Sequence, residues 1–256
     1  MKFIILGCGS SMGVPRPDGF FGKCNPKNKK NYRTRCSALL KTSDKNILID
    51  TSPDLRQQLL RHNINKIDKV LYSHMHADQT HGINDLRSFF LNNKKPINVF
   101  ADKSTSAHLK KSFSYCFTNL DNEYPATLKL NKINKNISIN NIKKKIYIKP
   151  VKVKHGSVHS ICYIIDKKLA YISDVSKIYN KDFKFFKNLN YLVLDCLWYK
   201  NHPSHFNLEK SLALIKIFSP KKAILTNLHS DLDYDELYKR LPKNTIPAYD
   251  GLTLNL

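Results

Sequence analysis

Apolar residues along this chain fall in short runs broken by polar stretches, and the early runs read as strands: 3–6, 37–40 and 46–49. Ser52 followed by Pro53 is a favourable helix start and predicts a helix to about His62. The pattern then predicts a strand over 70–72, a helix over 83–91 and a short strand over 98–101. Consecutive strands are predicted over 147–153, 162–165 and 169–172. A strand over 191–194, an apolar-striped helix over 208–218, a strand over 223–225 and a helix over 233–241 complete the pattern. The most polar stretch, 131–141, reads as a hairpin or surface excursion. No repeat or low-complexity linker divides the chain, so one domain is expected over residues 1–256.

Several predicted strands run straight into residues able to bind metals. The strand at 70–72 leads to His74, that at 147–153 to His155, and that at 169–172 to Asp174; those at 191–194 and 223–225 lead to Asp195 and His229. Sites in α/β proteins gather beyond the carboxyl ends of strands, where loops project side chains from a rigid base. If these ends share one edge, five segments converge there.

Charge adds a second theme. The formal net charge is +23, which would attract phosphate-rich substrates, nucleic acid included. Much of the excess is lysine, accompanied by abundant asparagine and isoleucine, so biased genome composition explains part of it. Placement matters more: no acidic residue lies between Asp18 and Asp44 or between Glu123 and Asp166, and the second gap carries Lys143, Lys144, Lys145, Lys149, Lys152 and Lys154 up to His155. The six cysteines form no C-x-x-C pair, which argues against a zinc ribbon or a thioredoxin-like motif and suits free thiols in a reducing compartment. The apolar run at the N-terminus is too short for a signal peptide or a membrane span, so a soluble, cytoplasmic protein is expected.

The sharpest motif is His74-Met75-His76-Ala77-Asp78-Gln79-Thr80-His81-Gly82. Imidazoles and carboxylates at alternate positions in a turn after a strand can face one point and hold zinc, manganese or iron. With His155, Asp174 and a later histidine, the motif resembles the metallo-β-lactamase superfamily, whose pattern is H-x-H-x-D-H followed by His, Asp and His, each after a strand. The resemblance spans essentially the whole chain, including Asp50 and the opening Gly7-Cys8-Gly9-Ser10-Ser11-Met12-Gly13-Val14-Pro15. It implies an α+β fold, a four-layer αββα sandwich with the metals at one edge. It implies that His74, His76 and His155 hold one metal, that Asp174 bridges to a second also bound by Asp78, and that Asp50 fixes the site from behind. One or two divalent ions, zinc or manganese and conceivably iron, are the expected cofactors.

Two positions depart from that pattern, and both fall on the second metal. Gln79 stands where the family has its last motif histidine, and Asn227 stands at the C-terminal histidine, with His229 two residues on. Gln79 could offer a carbonyl oxygen; His229, or His81, could supply the missing imidazole.

Within the superfamily the phosphodiesterase branch is most similar. The opening glycine segment and Ser204-His205-Phe206-Asn207-Leu208 resemble the phosphoribosyl cyclic phosphate phosphodiesterases and the tRNA 3′-processing endonucleases, tRNase Z. That resemblance implies that His205 reaches the substrate phosphate or protonates the leaving group. The expected function is therefore metal-dependent hydrolysis of a cyclic phosphate or nucleic-acid phosphodiester. The expected partners are a phosphate-containing substrate, nucleic acid and, following the superfamily, a second copy in a homodimer, with no membrane. Two rivals stand beside it: a thioester or lactone hydrolase of the same fold, and a non-catalytic nucleic-acid-binding protein on a decayed second metal site.

Overall fold

The computed structural model describes residues 1–119, 124–133, 136–142 and 145–256. Lys143 and Lys144, members of the basic run, lie outside the described residues. In chain order the strands are β1 (Lys2–Gly7), β2 (Ser37–Lys41), β3 (Asn46–Ile49), β4 (Lys69–Leu71), β5 (Ile97–Ala101), β6 (Leu128–Lys132), β7 (Ile137–Asn140), β8 (Lys145–His155), β9 (Val158–Ile165), β10 (Leu169–Ile172), β11 (Tyr191–Asp195), β12 (Lys222–Thr226), β13 (Thr245–Pro247) and β14 (Thr253–Asn255). They form two mixed seven-stranded sheets, ordered β14-β1-β2-β3-β4-β5-β6 and β13-β12-β11-β10-β9-β8-β7.

Period-two alternation explains the layers, because every strand of a buried sheet must feed two cores. In β1, β2 and β3 one set, Phe3, Ile5, Ala38, Leu40, Ile47 and Ile49, points between the sheets. The alternate set, Ile4, Leu6, Leu39 and Leu48, points outward. There it meets Leu55 and Leu59 of α1 (Leu55–Arg61), Phe89 of α3 (Arg87–Asn93) and Leu109 of α4 (Lys103–Ser112). The short α2 (Ala77–Thr80) precedes α3. On the second sheet Tyr163, Tyr171, Val193 and Ile224 face inward. Ile164, Ile172, Leu194 and Leu225 face outward against Ile215 and Phe218 of α5 (Leu208–Phe218) and Leu237 of α6 (Tyr234–Lys239). The result is the four-layer αββα arrangement, with the central core between the sheets.

Three sequence-based expectations are refined. The helix predicted from Ser52 begins at Leu55 instead: the Ser52 hydroxyl accepts from the Asp54 amide at 3.0 Å, a local turn that delays the helix. The predicted helix over 83–91 is a 3-10 turn, Ile83–Leu86, followed by α3. The polar stretch at 131–141, expected as a hairpin or surface excursion, holds the end of β6, which closes one sheet, and all of β7, which opens the other as one arm of an antiparallel hairpin with β8; residues 134 and 135 lie outside the described residues. The outer positions of β6 and β7 are polar because both are edge strands.

The sheets are pinned together next to the candidate site. Ile161 N donates to Ser73 O at 2.8 Å, and the buried Tyr163 hydroxyl donates to Tyr72 O at 2.6 Å. Tyr163→Phe should cost about 1–2 kcal/mol, the worth of one buried hydrogen bond whose acceptor is then left unpaired. Urea denaturation with an unchanged m-value would read it; no loss would mean that the bond contributes nothing net.

Candidate metal centre

The regular strands place the site at one edge. β10, β11 and β12 are parallel, and β8 runs with β10 because each is antiparallel to β9. His155, Asp174, Asp195 and Asn227 therefore all emerge from the same ends of the second sheet. In the first sheet β3 and β4 are parallel, so Asp50 and His74 emerge together.

His74, His76 and His155 converge. His74 Nε2 lies 2.9 Å and His155 Nε2 lies 3.2 Å from His76 Nδ1. Ring nitrogens this close repel through their lone pairs unless a proton or cation sits between them. Two of the rings are oriented from behind. The Ser73 hydroxyl lies 3.0 Å from His74 Nδ1, and His155 Nδ1 donates to Ser204 O at 2.7 Å, which leaves Nε2 of each to face the cluster. The second contact needs Gly156: it has φ +58°, and a Cβ there would stand 2.8 Å from Ser204 Cβ. Burial pushes the His74 pKa down to about 3, so its imidazole is neutral and its lone pair available.

Carboxylates border the histidines. Asp174 is buried, and its Oδ2 has no hydrogen-bond partner among the described residues. Burial opposes its charge, but His74, His155 and His205 outweigh that and hold its pKa below the usual carboxylate range. Asp78, in the first turn of α2, is pushed up to about 6 by burial and by the charge of Asp174. Asp50 Oδ1 accepts from Ser73 N at 2.7 Å, fixing the backbone just before His74; Asp50 itself sits at φ 61°. Potential ligand atoms gather in two sets, His74–His76–His155 and His155–Asp174–His205, each within 4.8 Å. Three imidazoles facing one point, with an unpartnered buried carboxylate beside them, form the donor set that zinc or a similar divalent ion takes.

The two departures from the superfamily pattern behave alike. Gln79 is buried and its Nε2 donates to Asp78 Oδ2 at 2.9 Å. Asn227, at φ 62°, uses Nδ2 to reach Ser173 O at 2.9 Å and Oδ1 of both Asp174 and Asp195 at 3.3 Å. His81 caps the C-terminal end of α2 with its ring edge against Phe113, turned to the exposed side. His229 lines a cavity shared with His76, Asp78, His155 and Asp174, against Trp198 at 5.2 Å between ring centroids, outside both candidate ligand sets.

His205 completes the site. Its Nδ1 lies 2.8 Å from Oδ2 of the fully buried Asp195, so Nδ1 donates to the carboxylate and Nε2 is left for a ligand. Burial disfavours the imidazolium, yet the charge and hydrogen bond of Asp195, helped by Asp174 and Asp78, raise its pKa to about 9. Burial raises Asp195 to about 6, so at neutral pH the two form an ion pair. Asp195 was visible in the sequence only as a strand-end carboxylate. Arg16, Trp198 and His202 also line the cavity, and nothing in the local sequence singles them out. The cavity holds about 360 Å³.

Residues 45–227 match the model of the Beta-lactamase superfamily domain. The octanoyltransferase of Porphyromonas gingivalis (strain ATCC BAA-308 / W83) is 31% identical over 257 residues, covering 98% of this chain and 51% of that protein. The chain thus spans about half the length of the curated relative it matches. Among solved structures, a diphosphatase from the PhnP family superposes with a TM-score of 0.89 at 29% identity, covering 100% of this chain and 97% of the other. Two more distant structures share the fold: Zn(2+)-bound PqqB from Methylobacterium extorquens (17% identity, TM-score 0.79, 100% of both chains) and the short form of human tRNase Z (14% identity, TM-score 0.71, 100% of this chain and 99% of the other).

Proposed function

Since this chain belongs to the metallo-β-lactamase superfamily, we propose that it is a metal-dependent hydrolase of a phosphodiester or diphosphate that works with a single metal ion. The pairing of His205 with Asp195 beside the three-histidine cluster carries the phosphate reading. It supplies a positioned proton donor where an oxygen leaving group needs one. The Arg16 guanidinium on the cavity wall and the 29% identity to a diphosphatase support it.

His74, His76, His155 and Asp174 would hold the ion. A divalent ion bound there would supply Lewis acidity, lowering the pKa of water and polarising a phosphoryl oxygen. The chain's own residues do the rest. The water oxygen forms a bond to phosphorus as the phosphorus–oxygen bond to the leaving group breaks. Asp78 takes the water's proton, and His205 gives the proton on Nε2 to the departing oxygen. Asp195 keeps His205 charged and aimed, and solvent exchange restores both groups.

The single ion follows from Gln79 and Asn227. Where the superfamily pattern has two imidazoles for a second metal, these side chains aim amide N–H groups at Asp78, Asp174 and Asp195. The amides satisfy the carboxylates that a second cation would otherwise neutralise. Protein purified without chelator should carry about one metal per chain by mass spectrometry, and the Gln79→His/Asn227→His double variant about two. Two ions in the parent protein would defeat the single-metal reading. The parent should hydrolyse bis(p-nitrophenyl) phosphate, a cyclic phosphate or a dinucleoside diphosphate. The match to half of a protein named for octanoyl transfer favours a second reading, acyl ester or thioester hydrolysis at the same centre. Turnover of an acyl thioester with none of any phosphate substrate would establish it in place of the first.

A further inference from the structure

A concavity of about 690 Å³ lies on the outer face of the second sheet, away from the metal centre. β8, the turn between β9 and β10, and the 3-10 segment Asn180–Phe185 with the residues after it build its walls. These separate segments bring Lys149, Lys167, Lys184 and Lys187 to one groove. Among the described lining residues Asp166 is the acidic one, and its Oδ1 accepts from the Tyr147 amide at 2.9 Å. Lys149 Nζ stands 4.2 Å and Lys184 Nζ 5.3 Å from the Phe185 ring centroid. Beside them the Tyr147 side chain is exposed, at 55%, with Lys145 Nζ 5.6 Å from its ring.

Gathering like charges is unfavourable unless an anion answers them, and lysines drawn from three segments into a concave wall focus a positive potential there. An aromatic ring standing in water among them gains little from burial, but it offers a face on which any base can stack. Lys149 and His155 are six residues apart on β8, a separation of about 20 Å along the strand. The groove is therefore distinct from the cavity at the histidines. We infer that it binds single-stranded nucleic acid, with phosphates along the lysines and a base against Tyr147. A concave slot with one exposed ring fits a strand better than the flat face of a bilayer. This binding goes beyond the hydrolysis proposed above and stands whether or not that reading holds.

The test is fluorescence anisotropy on the metal-loaded protein with a labelled, phosphorothioate-linked oligonucleotide of about twelve residues, titrated from about 50 to about 200 mM salt. Lys149→Ala/Lys184→Ala/Lys187→Ala should weaken binding at least about tenfold and flatten the salt dependence by roughly 0.7 per lysine removed. The Lys184→Ala/Lys187→Ala pair, which leaves Lys149 on Phe185, should give a smaller change in the same direction. Tyr147→Ala should weaken the oligonucleotide by about five- to hundredfold and leave inorganic polyphosphate binding unchanged. Hydrolysis of a small phosphate ester should be the same in all of them. Unaltered oligonucleotide affinity in the lysine variants would overturn the inference. So would a Tyr147→Ala effect that is absent, or equal for polyphosphate, since the groove would then hold anions without reading bases.

Discussion

Replacing His205 with alanine should lower kcat on a phosphate ester by about 10²- to 10⁴-fold, the usual worth of a positioned general acid, while metal content stays at the parent value. The reason is geometric. His205 Nδ1 is committed to Asp195 at 2.8 Å, so only Nε2 can serve the substrate. The candidate ligand set His74–His76–His155 does not include it. Asp195→Asn supplies the complementary test. It keeps the size of the side chain but removes the charge that holds the imidazolium, and it should lower kcat by about 10- to 100-fold with little change in KM. The His205 ring should then lose its downfield Nδ1 proton signal, a change that a merely structural Asp195 would not cause. If His205→Ala instead emptied the protein of metal, His205 would be a ligand, in the manner of the set His155–Asp174–His205, and its assignment as proton donor would be wrong.

The second large effect is expected at Arg33, one of the largest fully buried side chains. Its guanidinium donates to Leu232 O at 2.7 Å, Asn31 Oδ1 at 3.0 Å and His229 O at 3.4 Å. Its backbone exchanges hydrogen bonds of 2.8 and 2.9 Å with Val14. Arg33 thus ties the opening glycine segment, which supplies Ser10, Met12 and Arg16 to the cavity, to the segment carrying His229 and Ser230. Arg33→Met fills much of the volume but takes the guanidinium from Leu232 O, an acceptor worth about 1–3 kcal/mol when left unpaired, while Asn31 Oδ1 keeps the Tyr234 amide at 2.8 Å and His229 O keeps the Leu232 amide at 3.0 Å. A loss of about 2–3 kcal/mol in urea denaturation is expected, together with a raised KM because one wall of the cavity loosens. A loss below about 1 kcal/mol would show that water replaces the guanidinium at little cost.

The candidate site residues were legible because they are local. His74, His76 and Asp78 share one turn after β4, and His155 and Asp174 each follow a strand whose apolar alternation marks it. Asp50 was legible for the same reason. The ends of these strands share one edge only because β8, β10, β11 and β12 run in the same direction. Direction is a property of pairing, not of composition. Arg16, Trp198 and His202 could not be found in the sequence, because what makes them part of the site is a loop folding back from another part of the chain.

The sequence by itself determined the sheet alternation and the His74-x-His76-x-Asp78 motif, since these depend on spacing within single segments, and the superfamily, since His155 and Asp174 each follow a recognisable strand. Tertiary structure alone decided three other things. The stretch at 131–141 joins two sheets, which no local polarity reveals. His205 is paired with Asp195, a contact that depends on how the loop after β11 returns to that strand's own end. Gln79 and Asn227 turn their amide hydrogens toward carboxylates from distant strands. Hydrogen bonds are directional and short, so which partner a buried amide finds is settled only when the packed chain has fixed every donor and acceptor within about 3 Å of it.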